Sequence, residues 1–431
     1  MTPTTRRVVI TGLGAVTSIG RTAGAFWQAL AAGESGVAPL MAFDGRDARP
    51  GYAAEVKAFA PEDAGIARKK LKVMGRPAQL AYAAACEACA DAGLADGAVP
   101  GGPARIGVML GIGMLNADVV ELGRTFWATA ATTIDRGFDL AAFGRAATEQ
   151  MSPLWLLRHI PNLAAAHVAI GFDAQAPSNT IATGCVAGAN AIGEAARVIA
   201  RDDADVMLAG GTDARVTPLA MLRYRGLRWL STRDDVEPQD VSAPFDADAS
   251  GFVNGEGAGV LVLESHEHAQ ARGARILAEL AGYGAANDAH GFLLPRPDGA
   301  ALRRAMDRAL ERAAVRMSDV DVLFAPAPAV PAYDAAVAAA LDGAHARGPL
   351  VTATRSVLGH THAASAALDG VAAVRALQEQ CVPPTRNLKR PIAALALVGD
   401  SPVRRHLETV VVGANGFGGH AAAFVLRRYA A

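Results

Sequence analysis

The chain has 431 residues, of which 51% are hydrophobic and 19% charged, and its formal net charge is −1. A chain of this length and apolar content can bury a large core, which excludes a disordered or fibrous protein. A net charge close to zero argues against a nucleic-acid-binding protein, because such proteins usually carry a basic excess.

Cysteine content and hydropathy predict where the protein works. The cysteines Cys86, Cys89, Cys185 and Cys381 are too few for a disulfide framework, so a reducing, cytoplasmic location is expected. No uncharged apolar run approaches the roughly 20 residues that span a bilayer, and no membrane span is predicted. Cys86 and Cys89 form a single CxxC pair, which favours packing over zinc binding.

Strands and helices alternate along the chain. Short β-branched runs predict strands at residues 7–10, 106–110, 206–209, 259–263, 320–324, 410–412 and 422–426. Alanine-rich stretches predict helices at 78–92, 188–200 and 300–314. The strands are continuously apolar, as in sheets covered on both faces, so an α/β fold is expected. Strand, glycine turn and small-residue helix recur in both halves, which suggests an internal duplication.

The segment around Cys185 is the strongest local signal. A β-branched stretch ends at Thr183-Gly184, and Cys185 precedes a helix of small residues. A thiol at a helix N-terminus can have a lowered pKa and faces backbone N–H groups that stabilise an oxyanion, which suits a nucleophile. An inert core cysteine is the alternative, because free cysteines are commonly buried.

A second segment, residues 354–364, contains two histidines before an apolar helix. A neutral His360 at such a helix start can donate a hydrogen bond to a developing oxyanion. A structural role is the common alternative for a single histidine. His360 and His362 also suggest metal binding, but no cysteine or carboxylate lies at ligand spacing in the sequence, so no metal site is predicted.

A third segment, residues 414–420, surrounds Phe417 with glycines directly after a predicted strand. Such glycines can form a hinge that moves the aromatic ring or exposes its N–H. An ordinary turn between strands is the alternative.

Together these segments resemble the β-ketoacyl-acyl-carrier-protein synthases of the thiolase superfamily, over essentially the whole chain. Further matching motifs occur at residues 7–18, 160–162, 243–246 and 251–259. The resemblance implies duplicated βαβαβαββ halves packed as five alternating α and β layers, and a dimer. We expect a half at 1–262 that carries Cys185 and a half at 263–431 that carries His360 and the Gly416–Gly419 loop.

The same resemblance implies the roles of individual residues. Cys185 corresponds to the nucleophile that takes an acyl group from the phosphopantetheine arm of acyl carrier protein. His360 corresponds to the second catalytic histidine, and Phe417 to the gating aromatic. The N–H groups of Cys185 and Phe417 correspond to the oxyanion hole, and no bound cofactor is implied.

The chain departs from the family pattern after the strand at 320–324. The family's His-Gly-Thr-x-Thr segment falls on residues 326–330, so its histidine becomes Pro326 and its threonines become Pro328 and Val330. A glutamate expected downstream is Val337, and its lysine partner falls on Arg355. Proline has no side-chain donor and no N–H, and losing a positioned donor commonly costs about 10²–10⁴ in rate.

We therefore predict a ketosynthase-family subunit of type II polyketide or fatty acid biosynthesis that is degenerate for decarboxylative condensation. It would act as a chain-length-factor-like partner of an active ketosynthase, as a heterodimer. One alternative is an acyl transacylase, or a condensing enzyme without decarboxylation, that uses Cys185. Another is a working synthase, as a homodimer, in which His362 or His420 replaces the lost histidine.

Overall fold

The computed structural model describes residues 6–44, 51–94, 99–114, 119–133, 137–342 and 348–430. The strands are β1 (Val8–Val16), β2 (Val37–Pro39), β3 (Tyr52–Ala54), β4 (Ile106–Ile112), β5 (Ser178–Ile181), β6 (Val206–Ala214), β7 (Glu256–Ser265), β8 (Ala278–Asn287), β9 (Val322–Phe324), β10 (Leu350–Thr352), β11 (Cys381–Val382), β12 (Val403–Arg404), β13 (Thr409–Asn415) and β14 (His420–Arg428). The helices are α1 (Ala23–Ala31), α2 (Arg76–Asp91), α3 (Val119–Thr133), α4 (Leu140–Gln150), α5 (Leu163–Gly171), α6 (Ala187–Ala200), α7 (Pro218–Gly226), α8 (His266–Ala271), α9 (Ala300–Ala313), α10 (Pro331–Ala340), α11 (Arg355–Leu358) and α12 (Ser365–Glu379).

The main sheet consists of two repeats of the same strand order. Its sequence of neighbours is β10-β9-β13-β14-β8-β1-β7-β6-β4-β5. Counted within each half, both sets of five strands have the order 1-5-4-2-3, read outward from the centre. In both halves the outer pairings are parallel and the inner ones antiparallel, and the halves meet through a short β1–β8 pairing. The predicted duplication is therefore confirmed.

Helices separate and cover the two half-sheets. One apolar core contains residues of α6 and α12 together with strands of both halves. A second core joins α2 and α5 to the first half, and a third joins α9 to the second half. Helices and half-sheets thus alternate in the five layers predicted. The predicted strands and helices are all present, with ends shifted by a few residues.

The predicted division between residues 262 and 263 falls inside β7 and stays a prediction. No helix in the part of the chain that the structure describes is long and apolar enough to cross a bilayer.

The duplication places two short turns in equivalent positions. In the first half, β5 leads through the 3₁₀ turn Gly184–Val186 into α6. In the second half, β10 leads through α11 and the 3₁₀ turn His362–Ala364 into α12. Cys185 and His362 therefore face the middle of the molecule from matching elements.

Candidate active site

Cys185 lies at the start of the buried helix α6. Gly184 opens the preceding 3₁₀ turn with a φ of +65°, a backbone conformation that favours glycine. A Cβ on Gly188 would lie 2.6 Å from the carbonyl oxygen of Ala363, so only glycine allows α6 to approach the turn before α12. The abundance of small residues in the sequence thus brings the two halves together at Cys185.

His360 is held beside Cys185 by the backbone. Its N–H donates to the carbonyl of Val253 at 2.7 Å, and its carbonyl accepts from the N–H of Gly255 at 3.0 Å. His360 Nε2 lies 3.3 Å from Cys185 Sγ, and its Nδ1 lies 3.4 Å from Ser365 Oγ. With Nδ1–H directed at Ser365, Nε2 presents the lone pair that can accept the thiol proton.

A second imidazole, that of His362, belongs to the same cluster. One ligand atom from each of Cys185, His360 and His362 lies within 4.8 Å of the other two. His362 Nε2 is 2.7 Å from Asn254 Oδ1, and Asn254 Nδ2 donates to the backbone carbonyl of Arg215 at 3.0 Å. Because this donation fixes the amide orientation, Oδ1 is the acceptor and His362 Nε2 carries the hydrogen.

The two histidines offered as replacements differ in position. His362 is buried in the cluster, whereas His420 is exposed at the start of β14. The structure therefore places an additional imidazole near the sulfur, and it is His362.

Burial determines the charge state of the cluster. It raises the pKa of Cys185 to about 12, although the charges of Arg215 and Arg355 act in the opposite direction. The expectation that a helix N-terminus lowers this pKa is therefore wrong, because desolvation of the thiolate outweighs it. Burial also lowers the pKa of His360 and of His362 well below the ordinary value. The resting site holds a neutral thiol and two neutral imidazoles.

The glycine loop after β13 places Phe417 beside Cys185, in the wall of the cavities there. A Cβ on Gly416 would lie 3.2 Å from the Cβ of Cys185, so this backbone packs directly on the cysteine. The Phe417 ring stacks on Trp229 with centroids 4.2 Å apart and an interplanar angle of 6°. Tyr333 meets the Phe417 ring edge-on at 6.2 Å.

The loop after β9 forms an apolar wall on the His360 side. Pro328 and Val330 line a small cavity of about 20 Å³ together with Cys185 and His360. Such a space holds about one water molecule. Neither Pro328 nor Val330 offers a side-chain hydrogen-bond donor there.

Asp334 fixes the conformation of this loop. Its carboxylate accepts hydrogen bonds from the N–H groups of Ala329 and Phe245, at 3.1 and 2.8 Å. Ala329 has a φ of +66°, so the bond holds a strained residue in place. Burial raises the pKa of Asp334 to about 7 in spite of these bonds.

Arg355, at the position of the family's lysine, pairs with a different acidic residue. Val337 offers no carboxylate, but Arg355 Nη1 lies 2.9 Å from Asp369 Oδ2, and both side chains are almost fully buried. Arg355 also donates to the carbonyl of Ala325 at 3.1 Å. An ion pair therefore supports the loop after β9, although not the one the family pattern implies.

A much larger cavity of about 580 Å³ opens on the other side of Cys185. Its wall is mostly apolar and includes Met114, Ala220, Leu227, Trp229, Leu293 and Phe417. Besides Cys185, six polar side chains interrupt this wall: His159, Asp213, Arg215, Arg223, Tyr224 and His362. The cavity is large enough for an acyl chain, which would extend from the sulfur.

The cluster also has the composition of a metal site. The sequence argument against a metal, that no cysteine lies at ligand spacing from the histidines, is wrong because Cys185 is brought to them from 175 residues away. Thiolate and imidazole are ligands for zinc and other soft cations. Two of these groups, Cys185 and His360, also form the contact between a nucleophile and a base on which acyl transfer depends.

Comparisons with known proteins agree with this geometry. The profile of the N-terminal domain of beta-ketoacyl synthases matches residues 5–269, and that of the C-terminal domain matches residues 277–389. A 3-oxoacyl-[acyl-carrier-protein] synthase 2 of Synechocystis sp. is 36% identical over 98% of both chains. The synthase of the same name from Vibrio cholerae is 35% identical over 98% of this chain and 99% of its own.

Solved structures give the same result. The ishigamide ketosynthase/chain length factor superposes with a TM-score of 0.87 at 31% identity, over 99% of this chain and 100% of the other. A type II polyketide synthase acyl-carrier protein in complex with its ketosynthase bound to the hexaketide gives 0.83 at 29% identity, with the same coverage. The chain belongs to the beta-ketoacyl synthase family, with the thiolase-like fold.

Sequence reasoning missed the polar groups of the large cavity. Asp213, Arg215 and Tyr224 lie in no motif, and Asn254 lies within the matching segment 251–259 without a predicted role of its own. The sequence does contain one indication of these groups. Asp213 and Arg215 place two charges in a stretch that otherwise predicts a buried strand and a helix.

Proposed function

We propose that this protein accepts an acyl group from an acyl carrier protein onto Cys185, as a subunit of type II fatty acid or polyketide assembly. The observation that carries the proposal is the 3.3 Å contact between Cys185 Sγ and His360 Nε2, next to a cavity of about 580 Å³. A nucleophile in contact with a base is what covalent acyl transfer requires.

Acyl loading proceeds as a thioester exchange. Cys185 Sγ attacks the carbonyl carbon of the phosphopantetheine thioester while its proton moves to Nε2 of His360. The bond to the pantetheine sulfur breaks, and that sulfur takes the proton from His360. The N–H groups of Cys185 and Phe417 are the proposed donors to the oxyanion, and the packing of the neighbouring Gly416 against the Cys185 backbone supports this role.

Decarboxylative condensation is expected to be impaired. It requires hydrogen-bond donors that stabilise the enolate formed when carbon dioxide leaves malonyl thioester. Pro328 and Val330 supply none on the His360 side, and the family's first histidine corresponds to Pro326. The N–H of His362 is already committed to Asn254, which supports the same conclusion. We therefore propose that an active ketosynthase subunit performs this step in a heterodimer.

A complete condensing enzyme is the second candidate. The presence of two imidazoles within 4.8 Å of the sulfur favours it, because His362 would then replace the lost histidine. This function requires the opposite tautomer of His362, or a rotated Asn254 side chain, so that an N–H faces the substrate.

Exposed apolar side chains support an oligomer. Phe126, Trp127, Phe138 and Leu140 are largely exposed around α3 and α4, with Trp127 80% accessible. Patches of this kind mark protein interfaces. The dimer partner, a second copy or an active ketosynthase, is tested by co-expression with a neighbouring ketosynthase and by measuring the mass of the purified complex.

Two assays on the purified chain test the function. Intact mass after incubation with acyl-carrier-protein thioester is expected to show one acyl group on Cys185. Malonyl-carrier-protein decarboxylation is expected to stay at the uncatalysed rate. A chain that never loads contradicts the proposal, and rapid decarboxylation by the chain alone favours the second candidate.

A further inference from the structure

Three polar side chains that line the large cavity beside Cys185 have hydrogen-bonding atoms that the described residues leave wholly or partly unused. Arg215 uses Nε to bind Asp213 Oδ1 at 2.8 Å and Nη1 to reach the Tyr224 hydroxyl at 3.4 Å. No described residue accepts a hydrogen bond from Arg215 Nη2 or from the Tyr224 hydroxyl. The buried Nε2 of His159 also lacks a partner among the described residues. Buried polar atoms usually have partners, so the unpaired His159 Nε2 and the unused donors of Arg215 and Tyr224 in the same cavity indicate a polar ligand.

The backbone is shaped to admit this cluster. A Cβ on Gly113, at the end of β4, would lie 2.1 Å from Arg215 Nη2 and 2.1 Å from Asp213 Oδ2. Any other residue at position 113 would displace the ion pair. The Tyr224 ring stacks on His362 with centroids 5.1 Å apart, which holds its hydroxyl near the reacting sulfur.

We propose that Arg215 and Tyr224 select acyl chains that carry a neutral oxygen acceptor, such as a ketone, over saturated chains. The inference rests on the proposed loading of Cys185 and names the substrate class of that same site. A chain lying along the cavity wall places its oxygen where Nη2 of Arg215 and the Tyr224 hydroxyl can both donate to it. A saturated chain leaves these donors unpaired, which costs binding energy.

The charge balance favours a ketone over a carboxylate. Asp213 already neutralises Arg215, and both side chains are more than nine-tenths buried. A neutral carbonyl adds no charge to this site. A carboxylate against this buried pair would add a negative charge that Arg215 cannot compensate, and Arg223, the other arginine that lines the cavity, is exposed to solvent.

Loading rates of four six-carbon pantetheine thioesters test the proposal: hexanoyl, 3-oxohexanoyl, 5-oxohexanoyl and adipyl. The two oxo positions cover different depths of the cavity, and adipyl tests the carboxylate. The measured quantity is the ratio of kcat/KM for each oxo chain to that for hexanoyl. Because intrinsic thioester reactivity is the same for every variant, the change in this ratio between variants reports recognition alone.

Three variants separate the contributions. Tyr224→Phe keeps the ring and removes the hydroxyl, and we expect the preferred oxo/hexanoyl ratio to fall about 3- to 10-fold. Arg215→Met/Asp213→Asn removes the charged pair without leaving a buried unpaired charge, and the ratio is expected to fall about 10-fold or more. Arg225→Met, which removes an exposed arginine of α7 outside the cavity, is the matched control and is expected to keep the wild-type ratio.

The outcomes are distinct. If hexanoyl and oxo chains load and their ratio is the same in wild type, Tyr224→Phe and the double variant, the inference is overturned while acyl loading stands. If adipyl loads faster than both oxo chains, the ligand is anionic and the inference is wrong. If no chain loads on the wild-type protein, the proposed function itself fails.

Discussion

The two cavities that meet at Cys185 differ in size and in chemistry. The cavity on the His360 side has a volume of about 20 Å³ and apolar walls at Pro328 and Val330. The cavity on the His362 side has about 580 Å³ and contains a buried ion pair. The function proposed above depends on this difference, because acyl loading needs the sulfur, a base and space for the chain. Decarboxylation needs hydrogen-bond donors, which Pro328 and Val330 do not supply in the smaller cavity.

Removal of the Cys185 sulfur is expected to have the largest effect on acyl loading, because this sulfur is the proposed nucleophile and both cavities adjoin it. Cys185→Ala should abolish acyl loading, measured as the mass increase of the intact protein. Cys185 Sγ contacts an imidazole nitrogen, whereas Cys86 Sγ donates to the carbonyl of Ala64 and Cys89 and Cys381 are buried outside the larger cavity, so the other thiols should not substitute.

Cys86→Ala is the matched control, since Cys86 lies on α2 away from the site, and it should load like wild type. An acyl group that persists on Cys185→Ala would place the nucleophile elsewhere.

Loss of His360, the proposed general base beside the smaller cavity, is expected to have the next largest effect on acyl loading. His360→Leu should slow loading by about 10²–10⁴, the usual contribution of a positioned general base. His420→Leu removes an exposed imidazole and serves as the control, with loading at the wild-type rate. If His360→Leu loads normally, the contact between Nε2 and the sulfur has no catalytic role.

The pH dependence follows from the burial of the thiol. With its pKa raised to about 12, Cys185 is protonated at neutral pH, and its thiolate fraction grows about tenfold per pH unit below the pKa. The rate of Cys185 alkylation by iodoacetamide should therefore rise through pH 10 without levelling off. A plateau below pH 9 would mean that the arginine charges outweigh desolvation.

Site residues can be predicted from the sequence where the residues next to them along the chain form a recognisable pattern. Cys185, His360 and Phe417 each follow a predicted strand or precede a small-residue helix, and the glycines beside them mark close approach. The alternation of strands and helices likewise predicts the duplicated α/β frame.

Contacts between residues that are far apart along the chain could not be predicted from such local patterns. The hydrogen bond between His362 and Asn254 joins residues 108 positions apart and depends on which way an amide points. The ion pair of Arg355 with Asp369 depends on how helix α12 packs against α11. The pKa of Cys185 depends on burial, which a local motif does not report.

Hydrogen-bond donors restored to the loop after β9, beside the smaller cavity, test whether their absence impairs decarboxylation. Pro326→His combined with Pro328→Thr and Val330→Thr returns an imidazole and two hydroxyls to the loop after β9. Malonyl-carrier-protein decarboxylation should rise at least about 10-fold, a fraction of the full contribution because the loop is not optimised for the new groups. The matched control, with alanine at all three positions, removes the prolines without adding donors and should show no gain. An equal gain in both variants would trace the effect to loop flexibility.

The smallest effect is expected at His362, on the larger side. In His362→Gln the side-chain amide can still donate to Asn254 Oδ1, so the buried acceptor keeps a partner while the imidazole is lost. Because His362 Nε2–H points at Asn254 and not at the substrate, loading should stay within about threefold of wild type, far from the ~10²–10⁴ of a true acid–base group. The measurement is loading by intact mass together with decarboxylation of malonyl-carrier protein. A loss of 100-fold or more in the decarboxylation rate, with loading unchanged, would assign to His362 the catalytic role of the missing histidine. The groups on both sides of Cys185 would then form one complete condensing centre.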